Sequence, residues 1–130
     1  MRIRVPPKKI RERFLLIYEL EDCQKAVNFL TAYYGVRRLR IVLDGRRAGN
    51  GNIASYFENK AYFTKRGLNK QTVLHELCHH LIEAKGGKLP SAEEEREATE
   101  YAKLILKSQV MRALRPKTQG LVGISSARSP

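Results

Sequence analysis

Tryptophan is absent from this 130-residue chain, cysteine occurs only twice and histidine only three times. Two cysteines, Cys23 and Cys78, are too few for the disulfide framework of a small secreted domain. Neither stands in a paired metal-binding spacing. Both fall in predicted helices, where a free thiol behaves as a small apolar residue. No apolar run approaches the roughly 18 residues a membrane span needs, and the longest, FLLIY at 14–18, is closed by Glu19. The first nine residues, MRIRVPPKK, carry no apolar stretch of the secretory type. Cytoplasmic residence without a membrane partner is the expectation. Acidic residues are scarce too: 13 Asp and Glu face 25 Lys and Arg, giving a net charge of +12.

What is present fits one globular domain, with 42% hydrophobic and 29% charged residues. The positive excess favours anionic partners through phosphate neutralisation and counterion release. Arg37, Arg38, Arg40, Arg46 and Arg47 cluster, but basic residues run through nearly the whole chain, and no familiar nucleic-acid module accompanies them. Weak, nonspecific nucleic-acid affinity is what this composition implies.

Residues 2–5 alternate charged and apolar ahead of Pro6-Pro7, as a short strand or an extended lead-in would. Residues 8–20 fit helix or strand. Asp22 is a good N-cap for a helix over CQKAVNFLTAYY, with Gly35 beyond its end. RLRIVLD reads as a strand with Leu39, Ile41 and Leu43 on one face. After the glycine- and asparagine-rich stretch 45–52, IASYF and AYFTK read as two short strands around a tight turn at ENK. Asn69 caps a helix over 70–84 that Gly86-Gly87 end. Ser91 and Glu94 match a capping box starting a helix to about Leu114, before Pro116. The fold class predicted is α+β, its short sheet packed on the last two helices. Residues 1–115 form the domain, and 116–130, with no apolar period, form a disordered tail.

All three histidines lie within LHELCHHL, residues 74–81. His75 and His79 are four apart, so about 40° apart on one helix face, and their imidazoles can converge on one ion. Glu76 is adjacent and can reach a water on that ion. This H-E-x-x-H arrangement combines two zinc ligands with a general base. Val73, Leu74, Leu77, Leu81 and Ile82 give the other side of the helix a broad apolar stripe. His80 points elsewhere and reads as a supporting or surface residue. Catalytic zinc takes three protein ligands and keeps a fourth position for water. The downstream donors are glutamates, with Glu94, Glu95 and Glu97 the candidates. The bland reading of 93–97 is a solvated acidic first turn facing the positive helix end.

HELCHH followed by EEEREATEYAKLIL resembles a small gluzincin metallopeptidase, closest to the ImmA/IrrE type, whose second motif resembles E-x-E-A-N-x-F-A. The resemblance implies a Zn2+ cofactor held by His75, His79 and Glu95, the glutamate three before Ala98, with Glu76 as catalytic base. Glu95 also shares a helix side with Ala98 and Ala102, whose small side chains permit close approach. Two departures stand out: Thr99 occupies a position often held by asparagine or aspartate, and the usual Met-Pro ending is missing. The family's substrate-binding edge strand corresponds to residues 61–64, and Tyr56, Tyr62 or Tyr101 are candidates to stabilise an oxyanion. The function predicted is a zinc-dependent metallopeptidase acting on peptide or protein substrates. The competing classes are a zinc-binding regulator of weak activity and a basic nucleic-acid-binding protein.

Overall fold

A computed structural model describes residues 3–48, 53–87 and 91–118. It is a mixed α+β fold. The elements run α1 (Lys8–Leu20), α2 (Cys23–Tyr34), β1 (Arg40–Leu43), β2 (Ala54–Phe57), β3 (Lys60–Phe63), α3 (Lys70–Ala84) and α4 (Ser91–Thr118).

Local chemistry sets several boundaries. Asp22 accepts a hydrogen bond from the Lys25 N–H at 2.7 Å, and Asn69 accepts one from Thr72 at 2.9 Å, so each satisfies an otherwise unpaired donor at a helix start. Gly35 ends α2 at φ +70°, and Gly86 adopts φ +72° just beyond α3. Glu58 and Asn59 link β2 to β3 with φ of 46° and 68°, the left-handed pair of a two-residue hairpin turn. The ambiguous segment 8–20 is a helix. Phe14 and Leu15 are buried, with Ile10, Ile17 and Tyr18 packed against the core, a period-3.6 pattern that a strand would split between two faces.

The lead-in at 3–5 is not a strand. Ile3 is buried, and its N–H donates to Glu97 Oε2 at 2.8 Å, which ties the N-terminal segment to α4. At the other end α4 continues to Thr118, past the Leu114 expected from Pro116. Proline removes one backbone donor, and a helix already about seven turns long tolerates that loss near its end. Of the expected tail, residues 119–130 lie outside the described residues.

The sheet order is β1-β3-β2, with β1 parallel and β2 antiparallel to β3. Residues 61–63 therefore lie in the central strand and cannot be the substrate-binding edge. That edge is β2. Inward-facing Ile41, Ala54, Tyr56, Ala61 and Phe63 join the core, whereas Leu43, expected inside, is exposed at the sheet's end. Helix α3 packs on β2 and β3, and α4 lies along α3. Ala98, Tyr101, Ala102 and Ile105 of α4 are buried with Leu74, Leu77 and Leu81 of α3. The two alanines bring the α4 backbone close to the face of α3 that carries His75 and His79.

Candidate metal centre

Each histidine of the 74–81 segment has a different environment. His75 Nε2 lies 2.8 Å from Glu95 Oε1, and His79 Nε2 lies 3.0 Å from Glu95 Oε2. The two rings meet edge to face at 5.0 Å between centroids. His75, His79 and Glu95 each offer one ligand atom within 4.8 Å of the others. Tetrahedral zinc, with bonds of about 2.0–2.1 Å, sets its ligand atoms roughly 3.3 Å apart. The donor set and its spacing are thus those of a group that could hold a metal ion.

The neighbouring acids divide their roles. Glu94 Oε2 sits 2.6 Å from His79 Nδ1. A carboxylate there accepts the Nδ1 proton and leaves Nε2 with its lone pair toward the cluster, the arrangement that orients metal-binding histidines. The Glu94 carboxylate therefore serves His79. Glu97, expected to be solvated, is half-buried and binds the Ile3 N–H away from the cluster. Of the three candidate glutamates, only Glu95 faces both Nε2 atoms.

Glu76 is buried beside them, and burial raises its carboxyl pKa above the ordinary carboxylate range, with His79 and His75 opposing the shift. It lines two clefts that meet at the cluster. The larger, about 810 Å³, runs past Tyr56, His79, Glu83 and Glu94. The smaller, about 300 Å³, runs past Ile53, Gln71, Thr72 and His75. Both touch Ala54, so the edge strand β2 borders the entire opening.

His80 is no surface residue. It is fully buried, its Nε2 lies 2.7 Å from the Arg37 carbonyl and its Nδ1 lies 3.1 Å from the Tyr56 hydroxyl. Burial lowers its pKa, favouring the neutral ring that donates from Nε2 and accepts at Nδ1. The Tyr56 hydroxyl also lies 2.5 Å from Glu83 Oε1. Having one proton, it serves either His80 or Glu83 at a given moment.

Of the three tyrosines named from sequence, only Tyr56 reaches the large cleft. Tyr101 is buried with its hydroxyl 3.0 Å from that of Tyr34, and Tyr62 occupies the opposite sheet face under Arg47. Sequence reasoning missed two features: the Glu94–His79 pair and the Arg37–His80–Tyr56–Glu83 chain. The first lay within a run of acids with no internal contrast, and the second joins residues up to 43 positions apart.

No protein-family model, curated protein or solved structure matches this chain. The fold and site therefore define, on their own geometry, an α+β domain with a two-histidine, one-glutamate cluster able to hold a metal ion. Among the described residues, no helix is long and apolar enough to cross a membrane.

Proposed function

We propose that this protein is a zinc-dependent peptidase of the gluzincin type, with His75, His79 and Glu95 as metal ligands and Glu76 as general base. The observation that carries the reading is the convergence of both Nε2 atoms on one carboxylate beside a buried glutamate, at the junction of two clefts. The resemblance of HELCHH and EEEREATEYA to the ImmA/IrrE-type pattern points the same way. Zinc held there would polarise a substrate carbonyl and bring the pKa of a bound water toward neutrality.

The chain's own residues supply the rest. Glu76, held above the usual carboxylate range by burial, takes a proton from water near neutral pH and passes it to the departing amine. Glu94 fixes the ring orientation of His79. The edge strand Ala54–Phe57 would offer an extended peptide the backbone groups that, among the described residues, have no partner strand, aligning it along both clefts. Of the three tyrosines only Tyr56 lines the large cleft, and its hydroxyl would have to leave Glu83 to donate to a developing oxyanion.

The test is cleavage of an unstructured protein substrate by tag-free, zinc-loaded protein, compared with Glu76→Gln. Turnover in the parent and its loss in a variant that still binds zinc support the peptidase. Zinc binding without turnover in the parent would leave a metal-binding protein of another role.

A further inference from the structure

The sheet has a second face, of which the large cleft reaches only Ser55 on the edge strand. Along each strand, residues alternate between faces, and register puts Arg40, Lys60 and Phe57 in one cross-strand row, with Val42, Tyr62 and Ser55 in the next. These six lie opposite the core-facing set, and none belongs to the hydrophobic core. Arg40 and Lys60 are exposed, and Phe57 is 65% exposed despite its size. The Arg47 guanidinium sits 5.7 Å from the Tyr62 ring centroid, and Ser55 Oγ donates to the Arg47 carbonyl at 2.9 Å, which holds that arginine's backbone over the same face.

We propose that this outer sheet face binds single-stranded nucleic acid. Phe57 and Tyr62 are diagonal neighbours across β2 and β3, about 7–8 Å apart at the backbone, and offer two rings on which bases can stack. Arg40, Lys60 and Arg47 flank the rings with positive charge for the phosphates. An arginine that stacks on a tyrosine can turn to a phosphate and leave its ring to a base. Around the face, Asp44, whose carboxylate accepts from the backbone N–H groups of Arg46 and Arg47 at 3.1 and 3.4 Å, and Glu58 in the hairpin turn are outnumbered by Arg40, Arg46, Arg47 and Lys60. The charged residues of the large cleft, by contrast, include Glu76, Glu83, Glu94 and Glu95, so anionic chains are drawn to the sheet and not to the cleft. An exposed ring and a half-buried one, interleaved with cations, suit unpaired bases better than an acidic peptide, which offers charge without stacking partners. A duplex, whose bases are already stacked, gains nothing from the rings.

The experiment is anisotropy of a labelled 20-nucleotide single strand of mixed sequence, titrated with the full-length protein across a salt series. Phe57→Ala and Tyr62→Ala should each weaken binding about tenfold while leaving the salt slope unchanged. Arg40→Gln with Lys60→Gln should weaken binding and flatten the slope by about 1.4, roughly 0.7 for each phosphate no longer neutralised. Lys8→Gln with Lys9→Gln, the same charge change on exposed positions of α1, should stay within about twofold of the parent. Equal losses from the α1 pair would overturn the proposal in favour of diffuse attraction. So would equal affinity for duplex, equally strong displacement by polyglutamate, or no binding at low salt. None of these readouts depends on zinc.

Discussion

Replacing His80 with alanine separates the structural histidine of the 75–80 segment from the two assigned to metal. The substitution leaves the Arg37 carbonyl without its 2.7 Å donor at a part-buried site, which costs about 1–2 kcal/mol. Tyr56 keeps Glu83 as a partner at 2.5 Å, so its loss is small. Emptying a fully buried ring position adds a cavity cost of about 2 kcal/mol. The sum, about 3–4 kcal/mol, is a large part of the roughly 5–15 kcal/mol that stabilises a typical domain. At this chain length each kcal/mol moves Tm by about 3–5 °C, so a fall of about 10–20 °C is expected. Both His80 nitrogens are committed away from the cluster, so zinc stoichiometry at low temperature should remain that of the parent. Calorimetric melting and zinc titration of the same preparation read both quantities. A variant as stable as the parent, or one that stays folded yet cannot bind zinc, would refute the reasoning.

Other outcomes follow from single contacts. Glu76→Gln should abolish peptide hydrolysis while retaining zinc. In the parent, the acid limb of kcat/KM should lie above the ordinary carboxylate range, because burial favours neutral Glu76 and activity is lost as pH falls through its raised pKa. A limb unchanged in position by Glu76→Asp or absent altogether would count against the base assignment. Burial pushes the Cys78 thiol up to about 12 and the Cys23 thiol up to about 11. Both should therefore react slowly with a thiol reagent at pH 7 and rapidly after unfolding, and prompt labelling of native protein would contradict their packing role. Gly67→Ala should destabilise the fold by about 1–3 kcal/mol in a denaturant melt, since a Cβ there would meet the Ile53 carbonyl oxygen at 2.0 Å. An unchanged midpoint would show that the entry to β2 yields freely.

Features written in adjacent residues were legible from the sequence. Asn69 and Gly86 bracket α3, Asp22 and Gly35 bracket α2, and each acts within a turn of its own position. The pairing of His75 with His79 follows from helical spacing alone. Sheet order was not legible, because a parallel β1–β3 pair depends on how α2 and α3 pack, and 61–64 looked as much like an edge as 54–57. The role of His80 was hidden for a similar reason, its partners being 24 and 43 residues away. Glu94, Glu95 and Glu97 share barely one helical turn. Which of them meets the histidines depends on the rotation of α4 against α3, set by Ala98, Tyr101, Ala102 and Ile105 in the shared core. Spacing narrows that choice, and packing makes it.

Zinc titration of tag-free protein, run beside His75→Ala, Glu95→Gln and Glu94→Gln, tests the metal centre most directly. The expected result is one zinc per chain in the parent and none held tightly by His75→Ala. Glu94→Gln should weaken binding about 10–100-fold as an orienting partner, and Glu95→Gln should weaken it further as a ligand. Substoichiometric zinc that is indifferent to His75→Ala would contradict the account, and so would a Glu95→Gln protein that binds zinc like the parent.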